Sequence, residues 1–174
     1  MKVSIKSIML CAKVSPINIH KVLKKHTECY YDKNNCPSVF FDYGPTTVAV
    51  NSTGMIISNG ATTEQQGILS ITNTIKKITD SGLCDGVIEK NPKISGITCT
   101  IITGYDNLDL AKILKNNENA RTNRAFHSIV LQLNNGETAQ IYKNGIIVCV
   151  AIKNIAAITQ CVNELKKIIS DCSF

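Results

Sequence analysis

The side chains of this chain that could hold a metal or carry a reaction lie close together near its start. They are His20, His26, Cys29 and Cys36. Zinc sites use such ligands at short, regular spacings. Here the spacing is irregular, and His20 and His26 lie six residues apart on a predicted helix, off one face. We therefore expect no metal site, and the absence of a nucleophile motif, glycine-rich phosphate loop or paired-carboxylate signature favours a protein that is not an enzyme and has no cofactor.

The eight cysteines could form disulfides or remain thiols. Several lie inside apolar runs and no CxxC motif occurs. The apolar stretch around Ile8 to Ala12 is short and bracketed by Lys6 and Lys13, which is not typical of a secretory signal. We expect reduced thiols in an intracellular protein, mostly as small core residues. The positions are Cys11, Cys29, Cys36, Cys84, Cys99, Cys149, Cys161 and Cys172.

The composition is that of a globular protein. Of 174 residues, 44% are hydrophobic and 18% charged, enough for one core or two small fused halves. No apolar run approaches the roughly 20 residues of a membrane helix. The net charge of +6 favours a polyanion such as nucleic acid, although many basic proteins bind none.

The chain repeats itself. PINIHKVLKKHTE at 16–28 aligns with NLDLAKILKNNEN at 107–119, an offset of 91. TTVAVNSTGMIISNGA at 46–61 and TAQIYKNGIIVCVAI at 138–152 align at the same offset. The strand entering each hairpin aligns at an offset of 90, with Cys36 over Phe126. This pattern indicates a tandem duplication, with a first repeat at 1–80, a linker rich in Gly, Pro and charge at 81–95, and a second repeat at 96–174.

Each repeat predicts the same order of elements: a strand, a helix, three strands and a longer helix. Asn18 and Asp109 are the expected helix N-caps, and Gly54 and Gly145 the expected hairpin turns. The predicted ranges are 4–13 and 96–104 for the first strands, 36–43 and 126–134 for the strands after the helix, and 62–79 and 153–171 for the closing helices.

Two helices per repeat can cover only one face of a sheet, so the other face must be solvated or bind a partner. Alternation along the strands places small, apolar and uncharged polar residues there, and such a surface is typical of a binding site. The alternative is an inverted face in one strand. The residues are Thr47, Ala49, Asn51, Ile57 and Asn59 in the first repeat, and Thr138, Gln140, Tyr142, Val148 and Val150 in the second.

The stretch TTVAVNSTGMIISNGATTEQQ at 46–66 resembles the first-repeat hairpin and second helix of the TATA-box-binding protein family, with the pattern T-T-A-L-I-F-x-S-G-K-M-V-x-T-G-A-K-S-E. AFHSIVLQL and IYKNGIIVCVAIK resemble the second-repeat patterns L-F-P-G-L-I-Y-R-M and I-F-V-S-G-K-I-V-L-T-G-A-K. The likeness covers nearly the whole chain. It implies an α+β fold, a saddle of two pseudo-symmetric repeats with a curved ten-stranded antiparallel sheet and four helices on the convex side.

The resemblance also implies a function. Members of the family bind A·T-rich promoter DNA in the minor groove, bend it with aromatic side chains wedged between base steps, and recruit a TFIIB-like factor and RNA polymerase, in the nucleus or at a viral transcription site. No membrane association is implied. The alternative is a protein-interaction platform of the same fold with little DNA affinity. A third, an accessory module of a nucleic-acid enzyme, is disfavoured because nothing beyond the duplicated unit is present.

Carried over by resemblance, the wedge positions fall on Phe126 and Tyr142 in the second repeat and on Cys36 and Asn51 in the first. Two aromatic residues predict a wedge in the second repeat, with ordinary core packing as the alternative. Cys36 and Asn51 cannot intercalate as a ring would, so a symmetric double kink is not expected. The other implied groove residues are Ser7 and Thr100 near the central asparagines, their neighbours Met9 and Ile102, and on the fourth strands Ile57, Asn59, Val148 and Val150.

Contacts with phosphates are expected to be fewer than in the family. Four basic residues of the family map to uncharged residues here, namely Asn35, Met55, Gln132 and Ile146. A fifth basic position is retained as Lys153, and Lys143 or Lys33 can compensate for the lost charges. Binding should therefore be weaker or differently placed. The acidic stretch that docks the TFIIB-type factor reads NENARTNRAF here. Arg121 and Arg124 in it are candidates for contact with a partner of altered charge or with phosphate, and a plain loop is the alternative.

Overall fold

The computed structural model describes residues 1–32 and 37–170, which hold ten strands and four α-helices. These elements divide into two compact units. One consists of residues 7–95, and the other consists of residues 1–6 and 96–174. Every strand pair with a defined register is antiparallel.

The first unit holds most of β1 and the elements up to the start of β6. Its strands are hydrogen-bonded in the order β2-β3-β4-β5-β1. The elements are β1 (Lys2–Val14), α1 (Ile19–Lys25), β2 (Tyr30–Asp32), β3 (Ser38–Tyr43), β4 (Thr46–Asn51), β5 (Met55–Ala61), α2 (Glu64–Asp80) and β6 (Val87–Ile102).

The second unit repeats this plan, with the strand order β6-β10-β9-β8-β7. A 3₁₀ turn at Arg124–Phe126 separates β7 from β8. The elements after β6 are α3 (Leu110–Asn116), β7 (Ala120–Asn123), β8 (Ser128–Gln132), β9 (Thr138–Tyr142), β10 (Ile146–Ile152) and α4 (Ile155–Ser170).

The helix starts follow from the sequence. The Asn18 Oδ1 atom accepts hydrogen bonds from the backbone N–H groups of His20 and Lys21, at 3.1 and 3.2 Å. Asp109 caps α3 in the same way through the N–H of Lys112, at 3.0 Å. These bonds satisfy donors that a helix leaves free in its first turn. Both predicted N-caps are therefore confirmed.

One face of the strands is buried under the helices. Helix α2 packs on β4 and β5, and its Gly67 lies against the side chains of Leu10, Ser58 and Ala61. Alternate residues of the hairpin, such as Val48 and Ile56, are fully buried on this side. The residues between them are half-buried or exposed in both units, as predicted. We call this second face the open face.

Several predicted boundaries are wrong. Strand β6 begins at Val87, inside the predicted linker, and not at 96. The composition is misleading here because Pro92 suggests a linker. Pro92 has no backbone N–H to donate, but β6 pairs with β10 only from Ile97 to Ile102, so the ladder between these two strands does not need that donor. Strand β8 begins at Ser128 and not at 126. Strands β2 and β7, of three and four residues, are too short to show a period of their own.

Six cysteines lie in the described residues, all of them as free thiols. Cys99, Cys149 and Cys161 are buried, whereas Cys11, Cys29 and Cys84 are half-buried. Burial raises the pKa of Cys161 to about 11. A hydrogen bond with Cys99, together with burial, raises the pKa of Cys149. The Cys149 and Cys161 thiols are therefore neutral near pH 7 and act as small core side chains.

In the described part of the chain, no helix is both long and apolar enough to span a membrane.

Candidate nucleic-acid interface

Directly opposed residues form a continuous row across the open face of each unit. Cross-strand neighbours of this kind have Cβ atoms roughly 5 Å apart, so their side chains form one surface. In the first unit the row is Tyr30, Phe40, Ala49, Ile57 and Cys11. In the second unit it is Arg121, Val130, Gln140, Val148 and Thr100.

The predicted groove residues of β5 and β10 lie on this open face. Ile57 and Val148 are half-buried, whereas Asn59 and Val150 are exposed. Ile102, at the end of β6, is 51% exposed. Apolar side chains of this size are usually buried in the core, so a contiguous exposed group favours a binding surface.

The two aromatic residues of the predicted wedge lie at the same end of the second unit. Tyr142 is directly opposite Ser128, and Phe126 is two residues before Ser128 at the end of the 3₁₀ turn. His127 follows it with a left-handed φ of 48°. The Phe126 side chain is 62% exposed, which excludes core packing for this residue. It makes no ring–ring contact within the described residues.

The first unit offers no such pair at the equivalent positions. The Asn51 Oδ1 atom accepts hydrogen bonds from the Thr53 N–H, the Thr53 hydroxyl and the Met55 N–H, at 3.1, 2.7 and 3.0 Å. Asn51 therefore organises the β4–β5 turn. Cys36, the other position, lies outside the described residues.

Ser7 and Met9 are each hydrogen-bonded to a neighbouring strand, Ser7 through its side chain and Met9 through its backbone. The Ser7 hydroxyl oxygen accepts a hydrogen bond from the Gly60 N–H at 3.1 Å. The Met9 carbonyl oxygen accepts one from the Ser95 hydroxyl at 3.3 Å. Both residues are half-buried in β1.

The structure corrects the implied equivalence of Ser7 and Thr100. Thr100 lies directly opposite Val148, which is equivalent to Ile57 of the first unit. The residue directly opposite Ile57 is Cys11, so Thr100 is equivalent to Cys11, at an offset of 89. The equivalence of Met9 and Ile102 fails for the same reason.

The offset of 89 between the first strands, two less than in the elements that follow, is caused by a loop insertion. Two equivalent backbone hydrogen bonds join the end of the first strand to the hairpin turn, Val14 N–H to Gly54 O and Thr103 N–H to Gly145 O, and their donors are 89 residues apart. The next equivalent donors, Ile17 and Leu108, are 91 residues apart. The strand-to-helix loop of the second unit is therefore two residues longer (91 − 89).

Positive charge on the open face is sparse. Arg121 is exposed on β7 opposite Val130, and Lys13 is exposed opposite Met55. Arg124 is exposed in the 3₁₀ turn. Lys143 and Lys153 are exposed just outside the strands. The open-face location of Arg121 favours the phosphate-contact alternative for that residue. Lys33 and Asn35 lie outside the described residues.

A feature that the sequence reasoning missed is a stacked aromatic pair on the open face of the first unit. The rings of Tyr30 and Phe40 have centroids 5.2 Å apart and planes inclined by 15°. Asp32 and Asp42 are the next residues on the same face of β2 and β3. The alternation in YYD and SVFFD would predict that these two rings share a face with the two carboxylates. That prediction can be made only when β2 is recognised as a strand.

Three of the four residues considered as zinc ligands, His20, His26 and Cys29, pack on the helix side, and Cys36 lies outside the described residues. The His26 ring contacts the edge of Phe41, and its Nε2 atom lies 2.9 Å from the Ser81 hydroxyl. The Cys29 thiol donates to the His26 carbonyl at 2.9 Å, and His20 lies against Tyr31. Within residues 1–32 and 37–170, no group of three or more His, Cys, Asp or Glu side chains could hold a metal ion.

The arrangement of the described strands and helices is similar to that of a solved structure. The TBP of Methanococcus jannaschii matches it with a TM-score of 0.81 at 19% identity, over 98% of this chain and 99% of that chain. The chain therefore has the TBP fold, and the expected α+β fold class is confirmed.

The sequence of the second repeat leads to the same family. Residues 91–172 match the model of the family described as "Transcription factor TFIID (or TATA-binding protein, TBP)". No curated protein matches the sequence significantly. The match of the second repeat to this family model and the TBP fold of the chain together support a protein of the TBP family.

Proposed function

We propose that this chain is a transcription initiation factor that binds A·T-rich promoter DNA in the minor groove through its open faces, bends the DNA, and recruits a TFIIB-like factor and RNA polymerase. The supporting observation is the row of directly opposed, mostly uncharged side chains across five strands of each unit. Such a surface suits A·T pairs, whose minor-groove edges present acceptors and no exocyclic amine. Action in the nucleus, or at a viral transcription site, would follow.

The second unit is the stronger DNA-binding half in this proposal. Its Phe126 is exposed and lies two residues before Ser128, which is directly opposite Tyr142 at the end of β9. Its Arg121 lies on the open face. Insertion of an aromatic wedge unstacks one base step and kinks the duplex. Flexible TA-type steps unstack most easily, which would direct binding to A·T-rich sites. A single strong kink is therefore expected.

The test is a titration of the full chain against a short TATA duplex at two salt concentrations, roughly 50 and 200 mM. We expect binding at low salt that weakens as salt rises, because each neutralised phosphate releases counterions. The expected slope is shallow because few cations face the open side. Absence of binding even at low salt would contradict the proposal.

The contribution of Arg121 can be measured in the same titration. If its guanidinium neutralises one phosphate, Arg121→Gln should reduce the slope of log K against log salt by about 0.9. Lys166→Gln is the matched control, since Lys166 is equally exposed but lies on α4, on the helix side. An unchanged slope in the Arg121 variant, or an equal change in both variants, would exclude this phosphate contact.

A second candidate function is a protein-interaction platform with little intrinsic DNA affinity. The observation that favours it is the pair of carboxylates, Asp32 and Asp42, on the open face of the first unit. Carboxylates on a surface that receives DNA repel phosphates. The low-salt titration separates the two candidates, because a platform should leave the duplex unbound.

A further inference from the structure

The outer strands of the two units present opposite chemistry at equivalent positions. The register that pairs Tyr30 with Phe40 in the first unit pairs Arg121 with Val130 in the second. Likewise, Asp32 corresponds to Asn123 and Asp42 to Gln132. The second unit thus presents a cation and two neutral polar groups, whereas the first presents two aromatic rings and two carboxylates. We call Tyr30, Asp32, Phe40 and Asp42 the aromatic–acidic patch.

The patch presents its rings and carboxylates side by side. Asp32 and Asp42 are each two residues along a strand from one ring of the stack, a separation of roughly 7 Å. The Thr47 hydroxyl donates a hydrogen bond to Asp42 at 2.8 Å, which fixes that carboxylate in an exposed position. Tyr30 is 49% exposed. The stack of exposed Tyr30 on half-buried Phe40 is therefore accessible to a ligand.

This chemistry selects a cation. A phosphate over the patch would be repelled by the exposed Asp42, whereas a guanidinium can lie on the ring face and donate to that carboxylate at the same time. Arginine suits the site better than lysine, since its planar group stacks on aromatic rings and binds carboxylates with two hydrogen bonds. We propose that the aromatic–acidic patch binds an arginine side chain on a cationic segment of a protein partner.

This proposal shares Tyr30 and Phe40 with the row across the open face of the first unit, but it concerns different residues on different strands from the predicted wedge. The two can therefore fail separately. Loss of duplex binding in Arg121→Gln would leave peptide binding at the patch unchanged. Loss of peptide binding in Asp42→Asn would leave duplex binding unchanged or slightly stronger, since one repulsive charge is removed.

The experiment is an NMR titration of the ¹⁵N-labelled full chain with the peptide acetyl-Gly-Arg-Gly-Arg-Gly-amide. A peptide with citrulline in place of arginine has nearly the same shape without the charge. We expect the arginine peptide to shift the amide signals of β2 and β3, with an affinity that falls as salt rises. The citrulline peptide should bind at least about fivefold more weakly.

Two variants keep the test informative. Asp42→Asn keeps the shape of an exposed side chain and should weaken peptide binding about threefold to fivefold. Tyr30→Leu removes the exposed ring and should weaken it by a similar factor. Gln132→Ala, at the position equivalent to Asp42 in the second unit, is the control and should have no effect. Unshifted signals outside the exchanged residue show that each variant is folded.

Three results would overturn the proposal. The first is equal binding of the two peptides, and the second is unchanged affinity in both Asp42→Asn and Tyr30→Leu. The third is a titration in which β2 and β3 respond to a TATA duplex and not to the arginine peptide at any concentration up to about 10 mM, a range that detects even very weak association. That last result would assign the patch to nucleic acid.

Discussion

A TATA duplex bound by the double variant Phe126→Ala/Tyr142→Ala stays straight in a fluorescence energy-transfer assay, whereas the unmodified chain shortens the distance between the duplex ends. The reason is that alanine cannot occupy the space between unstacked bases. Base–aromatic stacking contributes about 1–3 kcal/mol per base, so affinity should fall about tenfold to a hundredfold. Folding should be unaffected by the change at Phe126, since this side chain is 62% exposed.

The control is Cys36→Ala, at the equivalent wedge position of the first repeat. A cysteine side chain is too small to hold two bases apart, so bending and affinity should change little. Each single aromatic variant should show a partial loss, because both rings are expected to act on one base step. Unchanged bending in the double variant would remove the wedge assignment.

The largest loss of stability is expected for Gly145→Ala. Gly145 has a φ of +75°, which costs an L-residue about 1–2 kcal/mol. A Cβ atom at this position would also collide with the Tyr105 carbonyl oxygen and lie 2.6 Å from the Thr103 hydroxyl oxygen. Overpacking of this kind costs about 1–3 kcal/mol more. Urea denaturation of the full chain should therefore show a free energy of unfolding lower by about 2–5 kcal/mol.

Gly136→Ala is the matched control for this prediction. Gly136 lies in the same unit with a φ of +88°, but no atom lies within 4 Å of an added Cβ. Its variant should lose only the backbone contribution, about 1–2 kcal/mol. Equal losses in the two variants would mean that the β9–β10 turn moves away from Tyr105 at no cost, and the steric account of this turn would be wrong.

The local chemistry of the chain predicted the elements best where a single residue type decides the structure. Asn18 and Asp109 were identified as helix caps because their short side chains can accept from the first-turn N–H groups. Gly54 and Gly145 mark the hairpin turns in the sequence because such turns favour glycine, and both have a positive φ in the structure. The alternation of Val48, Ala49 and Val50 separated the two faces of the sheet before any packing was known.

The errors have a different origin, since they concern relations between distant parts of the chain. The longer loop that follows Thr103 changes the offset between the two units, which is 89 in the first strands and 91 in the elements after the loop. Ser7 and Thr100 are 93 residues apart, so their implied equivalence fits neither offset. The stack of Tyr30 on Phe40 joins residues on two strands, and the shorter strand has no detectable period of its own.

The divergence of the two repeats is consistent with different tasks for their open faces. The second repeat has an exposed aromatic residue and an arginine where a duplex is proposed to bind. The first has Asn51 committed to a turn and carboxylates on its outer strands. Gene duplication gives each half the same strands, and substitution at a few open-face positions then changes what each half can bind without disturbing the buried face.

The most direct test of the proposed DNA interface is a methyl NMR titration of the full chain, labelled at Ile and Val, with an A·T-rich duplex. The sequence alternates faces in each hairpin, so neighbouring residues act as probe and control. We predict that the methyl signals of Ile57, Val148 and Val150 shift on binding, while those of the buried Ile56 and Ile147 remain in place. Shifts confined to residues of the helix side, or none even at low salt, would contradict a duplex seated on the open face.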